Sequence, residues 1–367
     1  IYLQEKNYSL PEADVATDQE IIELQTFESD LKVLQEKNVR ILQAGPTVSK
    51  PVLQGFSGNR LQVVTSGVAL NNQKWGVDHA PEVDYTWFDQ FKVVTGAEVL
   101  LYQGDHLGRV INGTNYIRLN KRPLSIRQEY STNGRGLRTS LRYAKKWNDL
   151  TFKGVLGYVN QGDLQAPKYY LTNTAMEVLT GFFQLNYAPF KWLELDGQYS
   201  RYEGEFGVMR GSHIGNLTDL ESSFDIIEPL FTENQFDRSI DAPRQDVDHN
   251  MGSLKGIIKF APLWRIEALG GIQLNNRDEY DIRRGGRTDI PSLSLKMRSQ
   301  FGEVKLIRQK GDSLLEIGYQ FTRQDNENNS GTGILPLIPD FIARKTGGYA
   351  KYSRPFAIAK DKYAKFS

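Results

Sequence analysis

The chain has 367 residues, a formal net charge of +1 and no cysteine. Balanced charge gives no basic footprint, so nucleic acid is not an expected partner. The lack of cysteine excludes a disulfide framework, a cysteine metal site and a thiol nucleophile within these residues. The sequence has no run of 18 apolar residues, the length that indicates a transmembrane helix. This length suits two or three ordinary domains, or one small domain followed by a large sheet.

Residues 1 to about 121 are predicted to form a small mixed α/β domain. Apolar residues recur at helical spacing from Ile21 to Leu34, with acids early and Lys37 late, which predicts a helix over residues 18–37. Three glycines and two prolines between residues 45 and 60 indicate tight turns. Short strands are predicted at Leu61–Thr65, Phe91–Thr95, Arg109–Ile111 and Asn115–Leu119.

Residues 71–84 form a loop-like stretch between two of these strands. The stretch contains Trp75, Asp78, His79, Glu82 and Asp84. An imidazole among carboxylates suits zinc or another divalent ion. A polar surface loop with one aromatic residue is the alternative interpretation, and these residues alone do not decide between the two.

From Arg122 onwards the sequence alternates strictly between apolar and polar residues. Leu124, Ile126 and Tyr130 alternate with Arg127 and Glu129, and the same period returns in many later segments. Such a pattern has two possible structures. A soluble sandwich buries its apolar face in a core, whereas a membrane barrel turns that face to lipid and its polar face to a wet lumen.

The lengths of the connections favour the barrel. After a hairpin signal at Asn133-Gly134, short and long connections alternate along the chain. Short turns are predicted near Lys145–Asp149, Ala188–Phe190, Ala261–Leu263 and Lys310–Asp312, and long connections near 161–177, 203–251, 276–292 and 324–346. Transmembrane barrels have short turns on the periplasmic side and long loops on the extracellular side.

About ten strands are predicted, the last near Gly348–Ser353, with no further strand in the segment that ends the chain. Ten strands form too narrow a ring to enclose a folded domain of about 120 residues, because plugged lumens belong to 22-stranded barrels. The chain is therefore expected to be a piece of a larger protein, or its sheet to be completed by something else.

Specific motifs resemble TonB-dependent outer-membrane receptors, of the kind common in Bacteroidetes-like bacteria. The stretch that ends G-F-S-G-N-R at Arg60 is similar to the family's R-G-L-x-G-N-R element, residues 61–84 resemble the strand and apical loop that follow, and residues 91–112 resemble the family's element that ends G-G-V-I-N. The sequence departs from the family's pattern at Gln54, Phe56, Gln103 and Arg109. Later segments that match in order are 166–174, 211–220, 283–293 and 331–341.

The resemblance implies a plug domain over residues 1–121 and the N-terminal part of a 22-strand transmembrane barrel over residues 122–367. It implies the outer membrane of a Gram-negative bacterium, a scarce extracellular ligand, contact with membrane lipid, and energy from the TonB–ExbB–ExbD complex. No TonB box is recognisable before Ile21. A bound metal or siderophore would be cargo, so no cofactor is expected, and no catalytic residue is predicted.

Candidate ligand-binding residues come from the predicted plug apex and from the long connections, because loops on a rigid scaffold tend to carry function. The complete set is Trp75, Asp78, His79, Glu82, Asp84, His213, Asn216, Asp219, Arg283, Arg284, Arg287 and Asp289. Asp78, His79 and His213 are candidate metal ligands, and Asp248-His249 is a further pair. The alternative is that these residues brace loops, and that the arginines pair with Asp281 and Asp289 instead of gripping an anionic ligand.

The resemblance thus implies a receptor that captures a metal ion, siderophore, haem or cobalamin for energised import. Two other classes stay open: an outer-membrane adhesion or assembly protein that does not transport, and a soluble β-rich carbohydrate-binding protein.

Overall fold

The structure, a computed structural model, consists of two main β-sheets, one of which covers a face of the other. It describes residues 20–23, 39–43, 49–65, 67–71, 82–102, 108–115, 117, 119, 123–212, 217–228, 231–282, 287–336, 338–359 and 362–366. No helix within these ranges is long and apolar enough to cross a membrane.

The N-terminal sheet has five strands in the order β1-β6-β7-β4-β5. Its strands are β1 (Glu20–Glu23), β4 (Gln62–Thr65), β5 (Val68–Ala69), β6 (Gln90–Thr95) and β7 (Arg109–Thr114). Strands β4 and β7 are parallel, and the other pairs are antiparallel. A separate hairpin joins β2 (Val39–Gln43) to β3 (Ser49–Leu53).

Two local predictions for this region are wrong. Residues 20–23 of the predicted helix form β1, which pairs with β6 in a register that places Glu20 opposite Val93. Ile21 and Ile22 are β-branched and suit a strand, and the edge of β6 supplies backbone partners that helical periodicity cannot reveal. Residues 24–38 lie outside the described part. The strand predicted at Asn115–Leu119 is not formed at residues 115, 117 and 119, the described part of that range, and β7 ends at Thr114.

The core of the N-terminal sheet continues into the second sheet. Val63, Phe91 and Ile111 are buried in one cluster with Met251 and Phe301, which belong to the second sheet. The two sheets therefore share part of one hydrophobic core. Burying each large apolar side chain in it contributes about 1.5–3 kcal/mol to stability.

The second sheet is an antiparallel meander of eleven strands. In chain order they are β8 (Leu124–Ser131), β9 (Gly136–Trp147), β10 (Leu150–Gln161), β13 (Met176–Phe190), β14 (Leu193–Gly207), β16 (Arg244–Ala261), β17 (Trp264–Tyr280), β18 (Leu293–Lys310), β19 (Ser313–Asn328), β20 (Phe341–Ala359) and β21 (Lys362–Phe366). Strands β8 and β21 are the two edges and do not pair with each other, so the sheet is not closed.

The predicted alternation of short and long connections is confirmed. Two-residue turns join strands at one end, at 148–149, 191–192, 262–263 and 311–312. The other end carries the hairpin at Asn133–Arg135 and the long connections 162–175, 208–243, 281–292 and 329–340. Within the long connections lie β11 (Leu164–Gln165), β12 (Tyr170–Leu171), the helix α1 (Leu217–Asp225) and β15 (Thr232–Glu233).

The strand count and the strand lengths differ from the prediction. There are eleven strands instead of about ten, because Lys362–Phe366 adds β21 to the edge of β20. The strands also extend further into the long connections than predicted. Polar residues on both faces near these ends, such as the neighbours Gln245 and Asp246 on β16, hide the alternation that marks the rest of each strand.

The two faces of the second sheet differ in polarity and exposure. On β17, Gln273, Asn275 and Arg277 point to the inner face and are buried, whereas Ile272 and Leu274 point to the outer face and are 37% and 45% exposed. The inner face is largely polar and is covered by the N-terminal domain where the two are in contact. The outer face is apolar over the middle of the strands and open.

Gly113 in β7 lies against the ring of Phe88. A Cβ atom at this position would approach Phe88 Cδ1 to 2.6 Å. Gly113→Ala is therefore expected to lower the unfolding free energy by about 1–3 kcal/mol through overpacking, measured as the urea midpoint of the N-terminal domain. Gly347→Ala is the matched control, since nothing lies within 4 Å of its Cβ position. Equal midpoints for the two variants would contradict this packing.

Candidate functional site

The interface between the N-terminal sheet and the inner face is the candidate functional site, and Glu82 lies at its centre. Glu82 is 1% exposed. Arg277 Nη1 donates to Glu82 Oε1 at 3.1 Å, and Asn275 Nδ2 donates to Glu82 Oε2. His249 Nδ1 lies 3.7 Å from Glu82 Oε2. These four residues, with Gln245, are called the Glu82 cluster below.

Strand register explains why the Glu82 cluster forms. On β16 and β17, His249 is opposite Asn275 and Gln245 is opposite Glu279. Alternate residues of a strand share a face, so these side chains and Arg277 all point towards the N-terminal sheet. Arg277 Nη2 also donates to Gln245 at 3.2 Å, and its Nε donates to Glu279 at 3.1 Å. A charge as buried as Arg277 requires such partners.

A second buried ionic group lies at Asp89, near the β9–β10 side of the sheet. Lys153 Nζ is 2.7 Å from Asp89 Oδ2, and Arg142 contacts the other carboxylate oxygen. Lys153 also donates to the backbone carbonyl of Trp87 at 2.9 Å and to Asn115 Oδ1 at 3.1 Å. Here the N-terminal domain supplies the acid and the second sheet supplies both bases, as in the Glu82–Arg277 pair.

Asp84 forms a third contact between the N-terminal domain and the second sheet. Its Oδ2 accepts a hydrogen bond from Thr180 Oγ1 at 2.6 Å, and its Oδ1 accepts from the backbone and hydroxyl of Thr86 at 2.9 and 2.6 Å. Glu82 and Asp84, both predicted to face a ligand, instead contact the inner face of the second sheet. They hold the C-terminal end of the 71–84 stretch in place.

The remaining predicted site residues divide into two sets. Asp219 lies in α1, and Arg287 and Asp289 are exposed in the connection 281–292. The other residues lie outside the described part of the chain: Trp75, Asp78, His79, His213, Asn216, Arg283 and Arg284. Among the described residues, therefore, two predicted site residues are anchors of the interface and three lie in long connections.

The proposed Asp248-His249 metal pair is split by strand geometry. His249 points to the inner face, whereas Asp248 points outwards and accepts hydrogen bonds from Arg201 and Asn250. Neighbouring residues of a strand point to opposite faces, so the two cannot bind one ion. Within the described residues no group of three or more His, Cys, Asp or Glu is placed to hold a metal.

Two departures from the family's sequence pattern contact each other. The guanidinium carbon of Arg109 lies 5.3 Å from the centroid of the Phe56 ring, a distance suited to a cation–π interaction. Arg109 Nη1 also donates to the Gly108 carbonyl at 2.6 Å. The larger side chain at position 109 thus has a specific place next to the aromatic ring at position 56.

A polar cavity of about 730 Å³ lies between the N-terminal domain and the inner face, towards the short turns. Lys255 pairs with Glu267 at 3.0 Å and Lys305 with Glu303 at 3.1 Å in its wall. Tyr102 of the N-terminal domain also lines it. Burial raises the pKa of Tyr102 to about 12, so its phenol stays protonated at neutral pH. The cavity has the volume and polarity to hold water or a small polar solute.

Sequence reasoning missed Asp89, Lys153, Asn275 and Arg277. The alternation places Lys153 and Arg277 on the polar face, and that face was expected to line a wet lumen. A charged residue in a lumen looks the same in sequence whether it meets water or a buried carboxylate. The partners are far away in the chain, so periodicity could not identify them.

Glu82→Gln is expected to destabilise the docked domain by about 3 kcal/mol, because it leaves part of the buried Arg277 charge uncompensated. The readout is hydrogen-exchange protection of residues 83–87 together with the urea midpoint. Glu203→Gln is the matched control, because Glu203 pairs with Arg201 at 2.9 Å with both side chains about half exposed, and its loss should cost less than about 1 kcal/mol. Similar effects of both substitutions would show that Glu82 is not an anchor.

Neither the protein-family models nor the curated proteins give a match to this chain. Solved structures do. The ferric citrate transporter FecA, in its unliganded form, aligns with a TM-score of 0.61 at 14% identity, over 93% of this chain and 53% of that one. The siderophore receptor PirA from Pseudomonas aeruginosa aligns with a TM-score of 0.60 at 9% identity, over 91% of this chain and 52% of that one. The ferric-catecholate import receptor Fiu from E. coli K12, in its open form, aligns with a TM-score of 0.64 at 12% identity, over 91% of this chain and 53% of that one.

The chain therefore spans about half the length of these structures. At such low identity the likeness concerns the fold, and it covers both the N-terminal sheet and most of the meander. The structure has the fold of TonB-dependent outer-membrane receptors.

Proposed function

We propose that the chain is part of a TonB-dependent receptor in the outer membrane of a Gram-negative bacterium. Residues 1–121 act as its plug, and residues 122–367 form part of a transmembrane barrel of the 22-strand type. The receptor binds a scarce extracellular ligand for energised import. The Bacteroidetes-like origin indicated by the motifs stays a prediction.

The observation that carries this proposal is the distribution of polarity on the second sheet. A soluble sandwich covers its apolar face, but here the polar face is covered and the apolar face is open. Leu156, Leu185, Leu254 and Val304 are each between 45% and 58% exposed on that outer face. Monomeric soluble proteins rarely expose apolar surface on this scale, and lipid is the environment in which it is stable.

Aromatic side chains at the short-turn end support the same interpretation. Trp147, Phe190, Trp192 and Phe260 are exposed there, and the Phe190 and Trp192 rings stack with centroids 5.3 Å apart. Barrels in outer membranes have aromatic girdles where the apolar band meets the headgroups. The carbohydrate-binding alternative does not account for an exposed apolar face that ends in such a girdle.

Ligand capture is assigned to the end of the molecule that carries the long connections. Trp75, Asp78 and His79 remain predicted ligands there, together with residues of the long connections such as Arg287 and Asp289. The structural neighbours are named for ferric citrate, siderophores and copper, which supports an iron–siderophore or metal cargo. Haem and cobalamin belong to the same proposal. It includes no catalytic step and no resident cofactor.

Release of the ligand requires the interface to rearrange. The Glu82 cluster and the Asp89 group fix the N-terminal domain at two places, and the cavity of about 730 Å³ lies on the exit side. Force from TonB, energised by ExbB and ExbD, would break these ionic contacts and join the cavity to the ligand side. Water entering the interface would lower the cost of separating the charges, because ion pairs weaken strongly in water.

The experiment is to express the complete gene product in a Gram-negative host, separate the membranes, and reconstitute the protein in vesicles of brominated phosphatidylcholine. Bromine quenches tryptophans in contact with acyl chains. We expect the protein in the outer-membrane fraction, with quenching that falls when Trp147, Trp192 and Trp264 are replaced by Phe. A protein that stays in the soluble fraction without quenching would reject the proposal.

An adhesion or assembly protein built on the same frame would pass that test. Binding of a purified periplasmic TonB domain to the complete gene product separates the two classes, since a transporter binds it and a non-transporting protein does not.

A further inference from the structure

A group of basic side chains lies on the outer face of the second sheet, near the long connections. Lys296 and Arg298 on β18, Arg323 on β19 and Arg344 on β20 make up this group, called the outer basic patch below. Register places Arg323 directly opposite Arg344, and Arg298 opposite Asp325, which is two residues from Arg323. The patch therefore spans three adjacent strands on one face.

The acids around the patch do not neutralise it. Asp325 and Glu327 on the same face of β19, together with Asp340, which lines the same cavity as Lys296 and Arg298, leave a surplus of one positive charge among the four bases. Arg323 Nε is 3.1 Å from Asp325 Oδ1. In the described part of the chain, Lys296, Arg298 and Arg344 take part in no ion pair within 4.0 Å. Like charges directly opposite on neighbouring strands are destabilising. Arg323 is compensated by Asp325, whereas an anion from outside the chain would stabilise Arg344.

Another base on the same outer face shows the contrasting arrangement. Arg201 on β14 lies 2.9 Å from Glu203 and 3.0 Å from Asp248. Its charge is compensated by residues of its own sheet. Arg201 thus differs from Lys296, Arg298 and Arg344, which among the described residues have no such acid of their own sheet.

The patch lies directly beyond the apolar part of the outer face. Leu274 is opposite Arg298, and further along the same strands Val304 and Tyr319 are exposed. Lys296, Arg298 and Arg323 line a cavity of about 740 Å³ together with the apolar side chains of Leu274 and Ile342. The cavity therefore offers cations at one side and apolar surface at the other.

We infer that the outer basic patch binds the phosphate of a membrane lipid headgroup, with an acyl chain of the same lipid against Leu274 and Ile342. This inference rests on the proposed membrane location. Guanidinium groups bind phosphate through paired, charge-assisted hydrogen bonds. Clustered basic side chains are attracted to anionic lipid headgroups, and the apolar neighbours select a lipid over free phosphate.

The test measures lipid binding by native mass spectrometry of the detergent-solubilised complete gene product. The probes are phosphatidylglycerol, a neutral diacylglycerol and inorganic phosphate. The double variant Arg298→Gln/Arg344→Gln is expected to bind phosphatidylglycerol about tenfold or more weakly than the unaltered protein. Arg201→Gln is the matched control and should leave that binding unchanged, because Arg201 is already paired with two acids.

Each outcome decides the inference. Retention of phosphatidylglycerol by the double variant would overturn it, and so would equal binding of diacylglycerol. Competition by inorganic phosphate at the same concentration as the lipid would show a free-phosphate site instead. Tryptophan quenching by brominated lipid, measured on the same variants in vesicles, separates failure of the proposed membrane location from failure of the patch. Without quenching the membrane location itself fails, whereas quenching with unchanged lipid binding rejects the patch alone.

Discussion

The buried pair of Glu82 and Arg277 is the interaction on which the rest of the structure depends. Both side chains have no exposure to solvent, and they join an N-terminal strand connection to the wall of a sheet almost 200 residues later in the chain. An unpaired charge in that position would cost several kcal/mol. The pair therefore defines where the N-terminal domain can dock. Gln245 accepts a further hydrogen bond from Arg277, and Asn275 donates one to Glu82.

Docking through charges has a consequence for both faces of the second sheet. Many polar residues on the inner face have partners in the N-terminal domain, and apolar residues such as Met251 and Phe301 pack beside them. The exposed apolar side chains of the strands lie on the outer face. That face has no cover within the described part of the chain and suits lipid. Under the proposed function, the ion pairs and hydrogen bonds of the interface would be exchanged for contacts with water, whereas the apolar contacts with Met251 and Phe301 would resist that exchange.

Much of this architecture could be predicted from the sequence, because period-2 alternation and turn lengths are local signals. The turns at 148–149 and 262–263 lie where they were expected. The predicted helix over 18–37 was wrong for residues 20–23, where the edge of β6 decided the conformation. The eleventh strand was missed because Lys362–Phe366 is short and rich in lysine. The candidate site was harder to predict from the sequence than the fold. Glu82 was identified, but its role as an anchor depends on Arg277, whose proximity follows from the fold and not from spacing.

Because the chain has no cysteine, single cysteines along β17 can test the account directly. Ile272→Cys and Leu274→Cys are expected to react with a lipid-soluble maleimide in reconstituted vesicles. Gln273→Cys and Asn275→Cys should stay unreactive until the N-terminal domain is released by denaturant. This alternating pattern is what a polar face under the N-terminal domain and an apolar face in lipid require. Equal reactivity at all four positions, or protection at 272 and 274 with reaction at 273 and 275, would contradict it.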